Sequence, residues 1–136
     1  MRFVDRYPIV VTPMKNESRD FWSKHLGFTV GFDSNWFCWL TADDGSASIA
    51  FMTPDHPSAP PGPDAYNGKG ICFELEVSDV DAVHTALAET GLKIAHPLTD
   101  EPFGQRRFGF IDPSGLFVDV FQPIEPVNGY WDKYMV

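Results

Sequence analysis

Asp119 stands in the run "LFVDVFQ", residues 116–122, among Phe117, Val118, Val120 and Phe121. A carboxylate in an apolar strand must be paired or must hold something, because an unpaired charge away from water is costly. Alternation sets Phe117, Asp119 and Phe121 on the face opposite Val118 and Val120. A packing helix requires the aliphatic face, so Asp119 is expected to point the other way, into a cavity. In "ICFELEV", residues 71–77, the same alternation puts Cys72, Glu74 and Glu76 opposite Ile71, Phe73, Leu75 and Val77. An acid among rings can pair with a cationic group on a ligand, or with Arg106 or Arg107 on the neighbouring strand. Asp119 or Glu74 can also serve as a general base.

The rings complete the candidate site. Aromatic residues make up 15% of the chain, and Trp36, Phe37, Trp39, Phe51, Phe108, Phe110, Phe117 and Phe121 fall on segments that read as strands. Phe37 and Trp39 share one face and Trp36 and Cys38 the other, so some rings can stack a flat ligand while others fill the core. The expected ligand-binding residues are Trp36, Trp39, Phe51, Cys72, Glu74, Arg106, Phe108, Phe117, Asp119 and Phe121. The histidines add little. His25 and His84 fall on helical segments, His56 lies in a proline-rich stretch where it is expected to be solvated, and His96 precedes Pro97 near a strand end. No two have the four-residue spacing that puts a pair of imidazoles on one metal.

The elements that must position these side chains occur twice in the same order. The first half runs "YPIVV", a helical stretch "NESRDFWSKHLGF" with Asn16 as cap and Gly27 as stop, then "TVGF", "WFCWL" and "SASIAFM". The second runs "ICFELEV", a helical stretch "SDVDAVHTALAETG" with Ser78 and Asp81 as a capping box and Gly91 as stop, then "LKIAHPL", "RRFGFI" and "LFVDVFQ". Each half is β-α-β-β-β, with helices near residues 16–26 and 79–90. The expected organisation is one α+β domain of two tandem modules, about 6–53 and 70–123, with a linker at 54–69 and a tail at 124–136. The stretch joining the modules holds five prolines and three glycines over residues 53–70, which exclude regular structure.

The 136 residues suit a single domain, and a formal net charge of −9 argues against nucleic acid or an anionic membrane surface as partner. Cys38 and Cys72 form no spaced pair and fit a reduced, cytoplasmic setting. The opening "MRFVDRYPIVV" reads as neither a signal peptide nor a membrane span. An open sheet edge and an apolar cup on each module favour a homodimer.

Paired β-α-β-β-β modules, "FW…HLGF" at the first helix, "VSDVDA" entering the second, and the hairpin "GQRRFGFIDPSG" resemble the vicinal oxygen chelate superfamily, which includes glyoxalases, bleomycin-resistance proteins and extradiol dioxygenases. The resemblance covers roughly residues 6–123. It implies that the strands of each module curl into a half-barrel and that two modules enclose a cup-shaped cavity, within the chain or across a homodimer. In the metal-dependent members a divalent ion is held from the first and last strand of each module, by His or Gln on the first and Glu on the last. Matching the strands places Tyr7 or Pro8 and Cys72 at the first positions, and aligning Gly45 with Gly115 places Ile49 opposite Asp119. That set lacks the three donors a transition metal asks for, and neither a metal nor another cofactor is expected. The resemblance then points to a binder of the bleomycin-resistance type that sequesters an aromatic or cationic compound, rather than an enzyme. The alternative is a lyase, isomerase or dioxygenase of the same superfamily, with or without metal.

Overall fold

A computed structural model describes residues 1–58 and 64–136. The elements run β1 (Ile9–Val11), α1 (Lys15–Leu26), β2 (Thr29–Asp33), β3 (Phe37–Thr41), β4 (Ser48–Met52), β5 (Cys72–Glu76), α2 (Val80–Glu89), β6 (His96–Glu101), β7 (Gln105–Ile111) and β8 (Phe117–Pro123). The strands form two four-stranded sheets, ordered β1-β4-β3-β2 and β5-β8-β7-β6. In each, the first and last strands of the half pair in parallel and the remaining pairs are antiparallel. The α+β repeat expected from the sequence is therefore repeated in topology. Part of the expected linker, residues 59–63, lies outside the described residues.

The chain divides into two compact units, Met1–Lys69 with Asp112–Gly115, and Gly70–Ile111 with Leu116–Val136. In the first, β3 and β4 turn Cys38, Leu40, Ile49 and Phe51 to the helix side, all fully buried. Trp22 of α1 packs there, 5.0 Å from Phe28 edge-on and 6.2 Å from Phe51. Its indole Nε1 donates to Asp112 Oδ2 at 2.9 Å, so the largest buried side chain keeps its polar atom satisfied. In the second unit α2 lies on β7 and β8, where Phe108, Phe110, Val118 and Val120 are buried with Val80 and Leu87.

Three local expectations need correction. Helix α1 has no side-chain cap: Met14 occupies the cap position and Asn16 is already helical. Lys15 anchors that end instead, with Nζ 3.0 Å from Asp33 Oδ1 and 2.7 Å from the Ser34 carbonyl. The stop at Gly27 is in place, at φ 68°, the left-handed geometry that glycine adopts without strain. Helix α2 is capped by Asp79, whose side chain accepts from the Ala82 N–H, and not by Ser78. The strand expected over 92–98 begins only at His96 and runs to Glu101, with Pro97 as its second residue and a slip in the register with β7 between His96 and Thr99.

Candidate functional site

The open face of the second sheet gathers the acids. Strand β5 pairs with β8 so that Cys72 stands beside Phe117, Glu74 beside Asp119 and Glu76 beside Phe121. Beside β8, Arg107 of β7 stands opposite Phe121 and Gly109 opposite Asp119. Asp119 has 0% of its surface exposed. One carboxylate oxygen, Oδ2, lies 3.4 Å from Arg107 Nη1, at the long end of hydrogen bonding. The other, Oδ1, is buried with no hydrogen-bond partner. Arg107 is drawn away by Glu101, which its Nε reaches at 3.2 Å and which also takes His96 Nε2 at 3.0 Å.

This crowding acts on the neighbours. Although Glu74 is exposed on its strand, partial desolvation of its carboxyl raises it to about 7, and the neighbouring Asp119 carboxylate adds to the rise. Partial desolvation also pushes the exposed Cys72 thiol up to about 12, helped by the charge of Glu74, which its sulfur meets at 3.5 Å. Cys72 is therefore held as the thiol at neutral pH in the metal-free protein. The Phe117 ring covers Gly109: a Cβ there would lie 2.3 Å from Phe117 Cζ.

Of the residues expected at the site, Cys72, Glu74, Phe117, Asp119 and Phe121 come together on this face. Arg106 does not. It binds Asp81 of α2 through Nε and Nη2 and Asp100 through Nη1, on the helix side of the sheet. Phe108 is also on that side, edge-on to His84 at 4.9 Å, and Phe51 is in the core against Trp22. The alternation that placed Asp119 applies equally to "RRFGFI": it turns Arg107, Gly109 and Ile111 to the open face and excludes Arg106 and Phe108. Arg107 is thus legible as the site arginine, whereas its division between Glu101 and Asp119 depends on pairing across strands.

The open face of the first sheet is apolar. Trp39 stands beside Ala50 and Phe37 beside Met52, and Ile9 of β1 stands on the other side of Ala50. The Trp39 ring covers Gly31, where a Cβ would lie 2.3 Å from ring carbon Cζ3, and Tyr7 meets its edge at 6.2 Å. The indole Nε1 of Trp39 is buried without a partner. Trp36 precedes β3 and its ring stacks on His56 at 3.7 Å and 5°. His56 is therefore half-buried rather than solvated, and the two line an open cavity of about 240 Å³ with Asn35, Thr53 and Asp55.

Register also corrects the alignment of the two halves. The pair Glu74–Asp119 corresponds to Ile9–Ala50, because Thr41–Ser48 and Ile111–Phe117 are the pairs that close the two hairpins. Asp119 thus matches Ala50, and Ile49 faces the helix. The first hairpin has one more residue in its loop, 42–47 against 112–116, and anchoring on the turn glycines absorbed that difference in the strand. At the positions implied for a metal the first half offers Tyr7, Ile9 and Ala50, which supply no imidazole, carboxylate or thiolate, so every such donor would come from Cys72, Glu74 and Asp119 of the second half. Among the described residues no three His, Cys, Asp or Glu side chains are grouped so as to hold a metal ion.

No curated protein sequence matches the chain. Solved structures do. A glyoxalase/bleomycin resistance protein/dioxygenase from Nocardioides superposes with a TM-score of 0.75 at 20% identity, over 92% of this chain and 86% of that one. TnmS3, an antibiotic binding protein from Streptomyces sp. CB03234, gives 0.68 at 23% identity, over 90% and 98%. A protein of unknown function from Agrobacterium tumefaciens str. C58 gives 0.65 at 26% identity, over 91% and 95%. The model of one family spans residues 6–120, helices, hairpins and Asp119 included, and the chain accordingly belongs to the glyoxalase/bleomycin resistance protein/dioxygenase superfamily.

Proposed function

We propose that this chain binds a small aromatic compound carrying a cationic group, and that it does so without a metal. Asp119 carries the reading. A fully buried carboxylate with one oxygen unpartnered is costly unless something donates to it, and Phe117 and Phe121 flank it on the same strand face. An ammonium or amidinium group would satisfy Oδ1 while the ring system lies on the phenylalanines. The antibiotic-binding character of TnmS3 supports the same reading.

Quenching of tryptophan fluorescence by a panel of cationic, neutral and anionic aromatic antibiotics tests it. Asp119→Asn preserves shape and should weaken binding of the cationic compounds by about tenfold or more, the loss of a charge-assisted hydrogen bond of about 1.5–3 kcal/mol. An unchanged titration would remove Asp119 from the site. Plasma mass spectrometry on protein purified without chelator should find no stoichiometric transition metal. One ion per chain, lost in Asp119→Ala, would return the chain to the metal-dependent members. A homodimer remains part of the proposal, since β2 is an edge strand with all five residues exposed, Val30 and Phe32 among them. A purely monomeric light-scattering mass at micromolar concentration would remove it.

A second reading has one observation in its favour. Glu74 titrates at about 7 on the open face, where a general base is useful. Turnover of a bound compound, abolished by Glu74→Gln, would establish an enzyme.

A further inference from the structure

The charges that face Asp119 do not balance. Strand β5 brings Glu74 beside it, with the Cys72 thiol 3.5 Å from Glu74, and Glu76 further along the same face; β7 brings Arg107, and β6 brings Glu101, which binds both Arg107 and His96. Arg107 is the one full positive charge of this group, and it lies closer to Glu101 than to Asp119. Asp119 Oδ1 receives no donor from any of these groups. A proton on Glu74 supplies that donor, because the two side chains share a face as in-register neighbours of a parallel pair. Two adjacent carboxyls that cannot both ionise hold one proton between them.

We infer that Glu74 and Asp119 form a site for a single positive charge, which a shared proton fills in the free protein and the ammonium group of a primary or secondary amine fills in the complex. The exchange conserves charge: the amine enters as its cation, Glu74 loses its proton to solvent, and both carboxylates then accept N–H bonds from the ligand. This deepens the proposed function by fixing the ligand class and by predicting proton release. Below the titration of Glu74 one proton leaves for each amine bound, so affinity rises tenfold per pH unit and levels off above it. Quaternary cations are poorer occupants, because they have no N–H to give.

The shared proton is testable without any ligand. In protein labelled with ¹³C at the glutamate carboxyls, one resonance should titrate near neutrality, vanish in Glu74→Gln and shift to the ordinary carboxylate range in Asp119→Asn. A Glu74 resonance that titrates in the ordinary range in the unmodified protein would overturn the inference. The ligand arm uses 9-(aminomethyl)anthracene and its neutral isostere 9-anthracenemethanol, titrated calorimetrically in two buffers of different ionisation enthalpy. The amine should bind at least tenfold more tightly, releasing close to one proton at pH 6 and almost none at pH 8.5. Equal binding of amine and alcohol, or tighter amine binding with no proton released, would overturn the exchange while leaving small-molecule binding intact. If neither compound and none of the aromatic antibiotics binds, the proposed function and the amine site fall together, and the carboxyl titration alone still decides whether the proton is shared.

Discussion

The two sheets have one topology and opposite floors. Each covers a glycine with a ring, Trp39 over Gly31 in the first and Phe117 over Gly109 in the second. Each also buries one polar atom without a partner. In the first sheet it is a donor, the indole N–H of Trp39, and in the second an acceptor, Oδ1 of Asp119. Where the first places Ile9 beside Ala50, the second places Glu74 beside Asp119. A duplicated architecture thus fixes where side chains stand, and a few substitutions decide whether a floor is apolar or charged. The charged floor is tolerable because Arg107 stands nearby and Glu74 can keep a proton. The apolar floor has no such help.

The sharpest way to break this comparison is to write the acid of the second sheet into the first. In Ala50→Asp the new carboxylate lies between Ile9 and Trp39, fully buried and with no cation as strand neighbour. It should cost about 3–5 kcal/mol in chemical denaturation, the scale of an uncompensated buried charge. A variant as stable as the parent would mean that water reaches this floor.

Filling the covered glycines should cost less and should separate the sheets by position. Gly109→Ala and Gly31→Ala each drive a Cβ to 2.3 Å from a ring carbon, so a ring must move, at about 1–3 kcal/mol. Gly109 lies buried in a strand with neighbours on both sides and also meets the Val118 carbonyl at 3.2 Å, whereas Gly31 sits at a register shift in an exposed edge strand. Gly109→Ala should be the more damaging of the two in thermal denaturation, and the reverse order would show that Trp39 is the more firmly seated ring.

The smallest effect belongs to Glu74 and shows in its pH dependence. Its carboxyl is raised in the fold from an ordinary 4.5 to about 7, so between those values the native chain keeps a proton that the unfolded chain has lost. The resulting stability is fully present below about pH 4.5 and is lost as pH rises through about 7. Glu74 is exposed enough for solvent to screen much of the effect. Melting temperature should therefore decline slightly from pH 5 to pH 8, and Glu74→Gln should flatten that decline. A variant that keeps the parent slope would place the titration elsewhere.

Much of this was legible in the residues, and for a local reason. Strand alternation has a period of two and needs no partner, so the sequence alone placed Asp119, Phe117 and Phe121 opposite Val118 and Val120, and Glu74 opposite Leu75. The repeat was legible for the same reason, since turn glycines and helix stops mark both halves. The same rule, carried to "RRFGFI", also separates Arg107 from Arg106. What alternation cannot give is register across strands, which depends on loop length and pairing. One extra residue in the first hairpin loop made Ala50, rather than Ile49, the counterpart of Asp119. Tertiary structure alone decided that Arg107 divides itself between Glu101 and Asp119, that Trp36 stacks on His56, and that Asp119 is left with a bare oxygen beside Glu74. Charges interact through space, and the distances that govern them are set only when strands far apart in sequence lie side by side.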